Sequence, residues 1–317
     1  MVVATQTHSK HGDSQMKPFD SGFNYDDKLL IDISQGGRDR PWRRYKLQSL
    51  AVSYALSLSD RLKFIGQRIK GCGTYLEFKT CPNNHGKKLI SANFCKNSSC
   101  ILCNARKSEI IFHQVFKIVH CHLKDFTSDI PLFLTLTVPN CEGKDLKKLL
   151  SKMSSAFNLL TRRKKFKKAV RGWFRSLEIT VNEKEGTYHP HYHLILMVPG
   201  YYFDKRKDLY IDRIEYLSMW KECMNDFSIT QVDVRRIKNK GGKSTERLVS
   251  ETSKYATKPS SYIKKISEDE YWANPKAVQD ICRAIRRVRF IGFGGTFKEI
   301  RKKLKMVRTS TAAGRSE

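Results

Sequence analysis

The stretch that most restricts the architecture is Tyr188-His189-Pro190-His191-Tyr192-His193-Leu194-Ile195-Leu196-Met197-Val198. From His191 it alternates His, Tyr, His, Leu and then runs apolar to Val198, the pattern of a short, largely buried β-strand. Side chains two residues apart on a strand share a face, so His189, His191 and His193 project to one side. Just upstream, Trp173-Phe174-Arg175-Ser176-Leu177-Glu178-Ile179-Thr180-Val181 alternates as well, and Asn182-Glu183-Lys184-Glu185-Gly186 joins the two as a turn. The pair predicts a β-hairpin and hence an antiparallel sheet. Glu178 then lies on the strand that pairs with the histidines, between apolar Leu177 and Ile179. Imidazoles crowded on one face need a charge partner or an ion. Two histidines and a carboxylate suit Mg²⁺, Mn²⁺ or another divalent ion with positions left open for substrate. The competing reading is a hydrogen-bonded histidine face beside a surface glutamate.

A second cluster lies earlier in the chain. Cys72, Cys81-Pro-Asn-Asn-His85, Cys95 and Cys100-Ile-Leu-Cys103 place five of the nine cysteines and one histidine within 32 residues. The Cys-x-x-Cys spacing sets two thiolates on one tetrahedral ion, which predicts a structural Zn²⁺. Cys81, Cys95, Cys100 and Cys103 are the favoured ligands, with His85 or Cys72 as substitutes; the alternative is a set of small, buried, unliganded cysteines. Cys121, Cys141, Cys223 and Cys282 stand alone and are assigned to the core.

The remaining periodicities fill in the frame. Residues 1–40 lack apolar periodicity and are expected to form a flexible tail. A helix is predicted from Arg43 to about Lys70, with Arg43, Arg44, Lys46, Arg61, Lys63, Arg68 and Lys70 on its polar face. Further helices are expected from Ser108 to about Leu123, around Leu146 to Leu160, from Arg213 to Asn225, and within Asn274 to Phe290. Strands are expected over Pro131 to Val138, where apolar and threonine residues alternate, and over Thr230 to Ile237. The predicted class is α+β, an antiparallel sheet flanked by helices. The expected layout is a 1–40 tail, a helical and Cys-rich zinc module over 41–128, the sheet domain over 129–300, and a basic tail over 301–317.

Charge narrows the partners. Sixty Lys and Arg against 31 Asp and Glu leave a formal charge of +29, an excess that a nucleic acid would neutralise. Its densest run is Arg162-Arg163-Lys164-Lys165-Phe166-Lys167-Lys168, six cations in seven positions, expected to contact DNA. No run reaches the length of a membrane span and the N-terminus lacks a signal-peptide layout, so no membrane partner and a cytoplasmic location are expected.

A last chemical stretch is Glu251-Thr252-Ser253-Lys254-Tyr255-Ala256-Thr257-Lys258-Pro259. On a helix, Glu251, Tyr255 and Lys258 fall at i, i+4 and i+7, bringing a carboxylate, a phenol and an ammonium to one face, and Pro259 ends or kinks it.

In order, Phe133-Leu-Thr-Leu-Thr-Val138, Leu177-Glu-Ile-Thr180 with His191-Tyr-His193, and Lys254-Tyr255 with Glu251 and Lys258 resemble the motifs of the rolling-circle plasmid replication initiators, a branch of the HUH endonucleases. The clustered cysteines ahead of the first motif are also similar, and the resemblance covers roughly Cys72 to Leu304. It implies a bacterial protein that nicks one strand of plasmid origin DNA through a tyrosine, here Tyr255. The products would be a 5′-phosphotyrosyl DNA and a 3′-OH primer. The implied metal set is His191, His193 and Glu178, with His189 as a third imidazole that could replace Glu178. Glu251 would activate water for the terminating cleavage, and Lys258 would stabilise phosphate charge or cap its helix. The implied partners are single- and double-stranded origin DNA, a host helicase and a polymerase, with a homodimer allowed. Pro259 departs from the family pattern, standing where a polar residue is expected. An HUH transposase or relaxase shares the chemistry, and a non-catalytic zinc-containing nucleic-acid-binding regulator is the alternative from another class.

Overall fold

The computed structural model describes residues 41–80, 87–237, 249–250, 252 and 259–306. In chain order the elements are α1 (Trp42–Ser57), α2 (Lys63–Lys70), β1 (Leu76–Thr80), β2 (Lys87–Ala92), α3 (Ile101–Asp125), β3 (Ile130–Thr137), α4 (Gly143–Leu160) and α5 (Lys164–Ala169). Then follow β4 (Gly172–Asn182), β5 (Thr187–Val198), α6 (Arg213–Met224), β6 (Val232–Arg236), β7 (Ile263–Lys265), β8 (Tyr271–Ala273), α7 (Pro275–Ala284), β9 (Ile291–Gly295) and α8 (Thr296–Lys303). Two compact units result. One takes residues up to Ala105 and Tyr262–Cys282; the other takes Arg106–Ser261 and the residues from Arg283.

In the first unit, the single helix expected from Arg43 to Lys70 is two. The chain turns at Ser59, whose carbonyl accepts from the N–H groups of Leu62 and Lys63 at 2.9 and 2.8 Å. The returning helix packs so closely that a Cβ on Gly66 would sit 2.8 Å from the Ser53 carbonyl oxygen, and the Ser53 hydroxyl donates to Gly66 O at 2.8 Å. Leu47, Leu50, Ala51, Ala55 and Leu56 of α1 and Ile69 of α2 are buried. The Gln279 amide of α7 donates to the Ala55 carbonyl at 3.0 Å.

The second unit is built on a five-stranded antiparallel sheet in the order β6-β3-β5-β4-β9. The predicted hairpin is β4-β5, in a register that sets Glu178 opposite His191 and Ser176 opposite His193. On one face, Phe174, Ile195 and Met197 join Ile111, Val115, Ile118 and Val119 of α3 and Phe297 and Ile300 of α8 in a buried cluster. At roughly 1.5–3 kcal/mol for each fully buried large apolar side chain, this cluster fixes which way the sheet faces. The histidines lie on this face, two and four residues before Ile195.

On the opposite face Tyr192 is buried. The Arg175 guanidinium lies 4.1 Å over its ring and 5.0 Å over Phe157 of α4. Arg175 also donates to the Arg289 carbonyl at 3.3 Å, and burial lowers its pKa. The Gly292-Phe293-Gly294-Gly295 stretch, given no element in the sequence reading, is edge strand β9. Its glycines are explained by the neighbouring strand, because Trp173 lies across Gly294 and a Cβ there would overlap the indole ring. At Gly292 the nearest atom, Trp173 Cζ3, would be 3.3 Å away. Gly294→Ala is therefore expected to cost about 1–3 kcal/mol, the range for overpacking, and Gly292→Ala distinctly less; urea denaturation of both variants checks the difference.

A buried polar network ties the ends of this unit together. His122 Nε2 meets Asp129 Oδ2 at 2.9 Å, His122 Nδ1 meets Thr296 Oγ1 at 2.9 Å, and Arg171 donates to Asp129 Oδ1 at 2.8 Å. Burial lowers the His122 pKa against the pull of Asp129.

Candidate functional site

The central hairpin brings Glu178, His191 and His193 together. Glu178 Oε2 lies 2.9 Å from His193 Nε2 and 3.3 Å from His191 Nε2, and the three potential ligand atoms lie within 4.8 Å of one another. Burial pushes the Glu178 carboxyl up, but the hydrogen bonds and charges of His191 and His193 overcome it and hold the group well below the usual carboxylate range. The far side of each imidazole is also occupied. His193 Nδ1 is 3.3 Å from Thr135 Oγ1, and His191 Nδ1 is 3.3 Å from the His189 carbonyl oxygen. A carbonyl only accepts, so His191 Nδ1 carries a proton. Its Nε2 is then either a second donor to Glu178 or a lone pair for a cation that Glu178 also faces. Two imidazole nitrogens and a carboxylate oxygen fit Mg²⁺ or Mn²⁺ with open positions.

His189 stands apart from this group. Its Nδ1 meets Asn140 Oδ1 at 2.9 Å, and burial, aided by the charge of His191, lowers its pKa. Two residues that the sequence reading left unassigned support the trio. Thr135 is set beside His193 by the β3-β5 register, and the Phe133 ring stacks on His193 at 5.4 Å and 23°. The signal was the threonine face of β3, which acquires meaning only once the register is known.

The first unit holds the thiol group. Cys72, Cys95, Cys100 and Cys103 have their Sγ atoms within 4.8 Å of one another, with Cys72 to Cys103 at 3.4 Å and Cys95 to Cys103 at 3.7 Å. Tetrahedral thiolates at the usual Zn–S length stand about 3.8 Å apart, so the spacing suits such an ion. Among the described residues Cys72, given as a substitute ligand in the sequence analysis, joins Cys95, Cys100 and Cys103; Cys81 and His85 lie outside the described residues. Hydrogen bonds from Cys100, Cys103 and Cys95 pull the Cys72 thiol well below its ordinary pKa. The Cys95 N–H donates to Cys72 Sγ at 3.3 Å, and the Ser49 hydroxyl lies 3.7 Å from Cys100 Sγ.

The polar face of α1 and α2 also serves this cluster. Lys46 donates to the carbonyls of Lys70 and Cys72 at 2.8 and 2.6 Å; burial lowers its pKa while the four cysteines raise it. Arg68 donates to the Cys95 carbonyl at 3.1 Å.

The cationic run falls on and before α5. Arg163 pairs with Glu222 and Lys165 with Glu215, each at 2.7 Å, while Arg162, Lys164, Lys167 and Lys168 are exposed. Glu251, Tyr255 and Lys258 lie outside the described residues. The chain on either side of them is anchored: Val249 belongs to the buried cluster, and the Ser261 hydroxyl accepts from the N–H of Val181, three residues beyond Glu178 on β4, at 3.1 Å. Six residue steps lead from Tyr255 to Ser261, a reach of at most about 20 Å.

Among the described residues no helix is long and apolar enough to cross a membrane. Comparison with known proteins places the chain. Residues 86–314 match the family described as "Replication protein". A "Protein rep" of Streptococcus pneumoniae serotype 2 (strain D39 / NCTC 7466) is 38% identical over 280 residues, covering 88% of this chain and 84% of that protein. Proteins of the same name from Lentilactobacillus hilgardii and Bacillus amyloliquefaciens are 36% and 34% identical. Their matches cover 88% and 89% of this chain and 87% of each relative. No solved structure matches the chain. With an α+β fold, a Glu-His-His group on the central hairpin and relatives of this identity over most of its length, the chain belongs to the Rep family of plasmid replication initiators.

Proposed function

We propose that this initiator nicks one strand of its plasmid origin and starts rolling-circle synthesis from the nick. The observation that carries the reading is the Glu178-His191-His193 group, set on adjacent strands with its outer nitrogens already engaged. A divalent ion held by Glu178 Oε2 and the Nε2 atoms of His191 and His193 would, when bound, polarise the scissile phosphate as a Lewis acid. Thr135 and the His189 carbonyl hold the imidazole planes, which fixes the Nε2 atoms that would hold the ion. The Tyr255 phenol oxygen attacks phosphorus and loses its proton; the bond to the 3′ oxygen breaks, and that oxygen takes up a proton. One phosphodiester replaces another, leaving a 5′-phosphotyrosyl strand and a 3′-OH for a host polymerase to extend.

Glu251, four residues before Tyr255, serves as base for the water that ends the cycle, and Lys258 offsets phosphate charge. Arg162, Lys164, Lys167 and Lys168 contact origin phosphates, so binding should weaken steeply with salt. The thiol group holds a structural Zn²⁺.

The test is incubation of the full-length protein with Mn²⁺ and a supercoiled plasmid carrying its own origin, resolved on a denaturing gel. Wild-type protein is expected to become attached to the 5′ end of the nicked strand. Tyr255→Phe is expected to bind the origin and leave it intact. Nicking that survives this change would remove Tyr255 from the role. Origin binding without nicking by the wild type, with any divalent ion, would favour a non-catalytic regulator.

A further inference from the structure

Away from the metal-binding face, the loop after β5 carries a cluster of aromatic rings in solvent. Tyr201, Phe203 and Tyr210 are 49%, 41% and 48% exposed. The rings of Phe203 and Tyr210 lie 5.5 Å apart at 47°, and both meet Tyr202 edge-on, at 5.0 and 5.6 Å. Tyr202 is a fixed base. It is buried, and its hydroxyl both donates to the Ile211 carbonyl at 3.1 Å and accepts from the Ile211 N–H at 3.0 Å. The exposed rings therefore stand on a pinned foundation, and ordering them at a partner costs little further entropy.

Cations border the rings. The Arg236 guanidinium lies 5.4 Å over Phe203. Lys205, Arg206 and Lys207 form one 3₁₀ turn capped by Asp204; Arg206 grips both Asp204 oxygens at 3.0 and 2.9 Å, which neutralises that carboxylate. Lys205, Lys207 and Arg236 are exposed.

Contiguous exposed aromatics mark a binding surface, and the chemistry beside them selects the partner. Aromatic faces with cations fit unpaired bases, which stack, and their phosphates, which pair with Lys and Arg. A duplex keeps its base faces inside its own stack and offers this surface only phosphates. We propose that Phe203, Tyr210 and Arg236, with Lys205 and Lys207, form a sequence-tolerant platform for single-stranded DNA, distinct from the Glu178-His191-His193 group. The five residue steps of β5 from His193 to Val198 alone span about 17 Å, so the platform takes a segment of strand other than the one at the metal group. Its use in replication, holding strand separated from the duplex, rests on the nicking reading; its binding does not.

The test uses the full-length protein, a fluorescein-labelled oligothymidine of about 20 nucleotides and a duplex of the same length without origin sequence, and no added divalent ion, with anisotropy as the readout. Each ring removed by Phe203→Ala or Tyr210→Ala is expected to weaken oligothymidine binding roughly 5- to 100-fold, with duplex affinity within about twofold and the Phe203→Trp variant restored. Unchanged oligothymidine affinity would overturn the proposal. So would an equal fall for oligothymidine and duplex in variants whose thermal unfolding is unaltered, since that marks a surface reading charge alone. Neither probe is a nicking substrate, so a failure of the nicking reading leaves these outcomes where they are.

Discussion

His193→Ala is expected to lower origin nicking at saturating Mn²⁺ by two to three orders of magnitude, with origin binding changed by no more than a few fold. Removing the imbalance of charge at a polarised phosphate is worth several kcal/mol in such sites, and about 1.4 kcal/mol corresponds to each tenfold. The loss should be specific to the transition state, because the phosphate contacts proposed for Arg162, Lys164, Lys167 and Lys168 lie elsewhere in the chain. Glu178→Gln removes the charge at nearly constant shape and should approach the same deficit. Thr135→Val separates ligation from orientation. Its hydroxyl lies against the outer nitrogen of His193, and outer partners of this kind typically contribute 10- to 100-fold in ion affinity. The Mn²⁺ concentration for half-maximal nicking should rise by that factor while the rate at saturation recovers. If Thr135→Val instead lowers the saturated rate and leaves the Mn²⁺ requirement unchanged, the hydroxyl does not act through the ligand.

Cys100→Ser is expected to strip one Zn²⁺ per chain and to unfold the first unit. A structural zinc site carries an apparent binding free energy of about 10–16 kcal/mol, well above the stability of a small unit. Cys100 is buried and lies against Ser49 of α1, so its loss opens the helix pair as well as the ligand set. Zinc released by a mercurial and counted with a colorimetric chelator measures the first effect; tryptic cleavage within residues 41–105 measures the second. Cys121→Ser, outside the group, should retain both properties. Cys81→Ser should retain zinc too, because Cys72 completes the four. Loss of zinc from Cys81→Ser with retention in Cys72→Ser would reverse the ligand assignment.

The two chemical groups were legible in the sequence to different degrees. The β4-β5 hairpin could be read because strand alternation and a short polar turn fix both pairing and facing, so Glu178 could be assigned to the histidine face before any coordinates. The thiol set could be read as a cluster but not as a choice of four. Cys72 ends the α2 turn, where its N–H donates to the Ile69 carbonyl, and nothing in Cys-x-x-Cys spacing encodes that position. Lys46 and Arg68 could be read only as members of a polar helix face; their carbonyl partners near the thiols are long-range contacts. The return of Tyr262–Cys282 to the first unit was hidden for the same reason. Gly292 and Gly294 received no element from the sequence, because the Trp173 ring that requires them lies on another strand.

Tyr192 gives the His-x-His spacing a middle letter with its own grammar. It points away from the two histidines, into the contact with Arg175, Phe157 and Trp220. A drifting lineage that kept both histidines but exchanged this tyrosine for a small residue would leave a buried guanidinium without its ring and slacken the strand that aims them. Substitutions at Phe157, on a helix behind the sheet, would be felt through the same ring. The reverse of the sheet thus constrains which sequences keep this strand in place, and inherited variation at His191 and His193 should be correlated with residues on the opposite face, Arg175 and Phe157 among them.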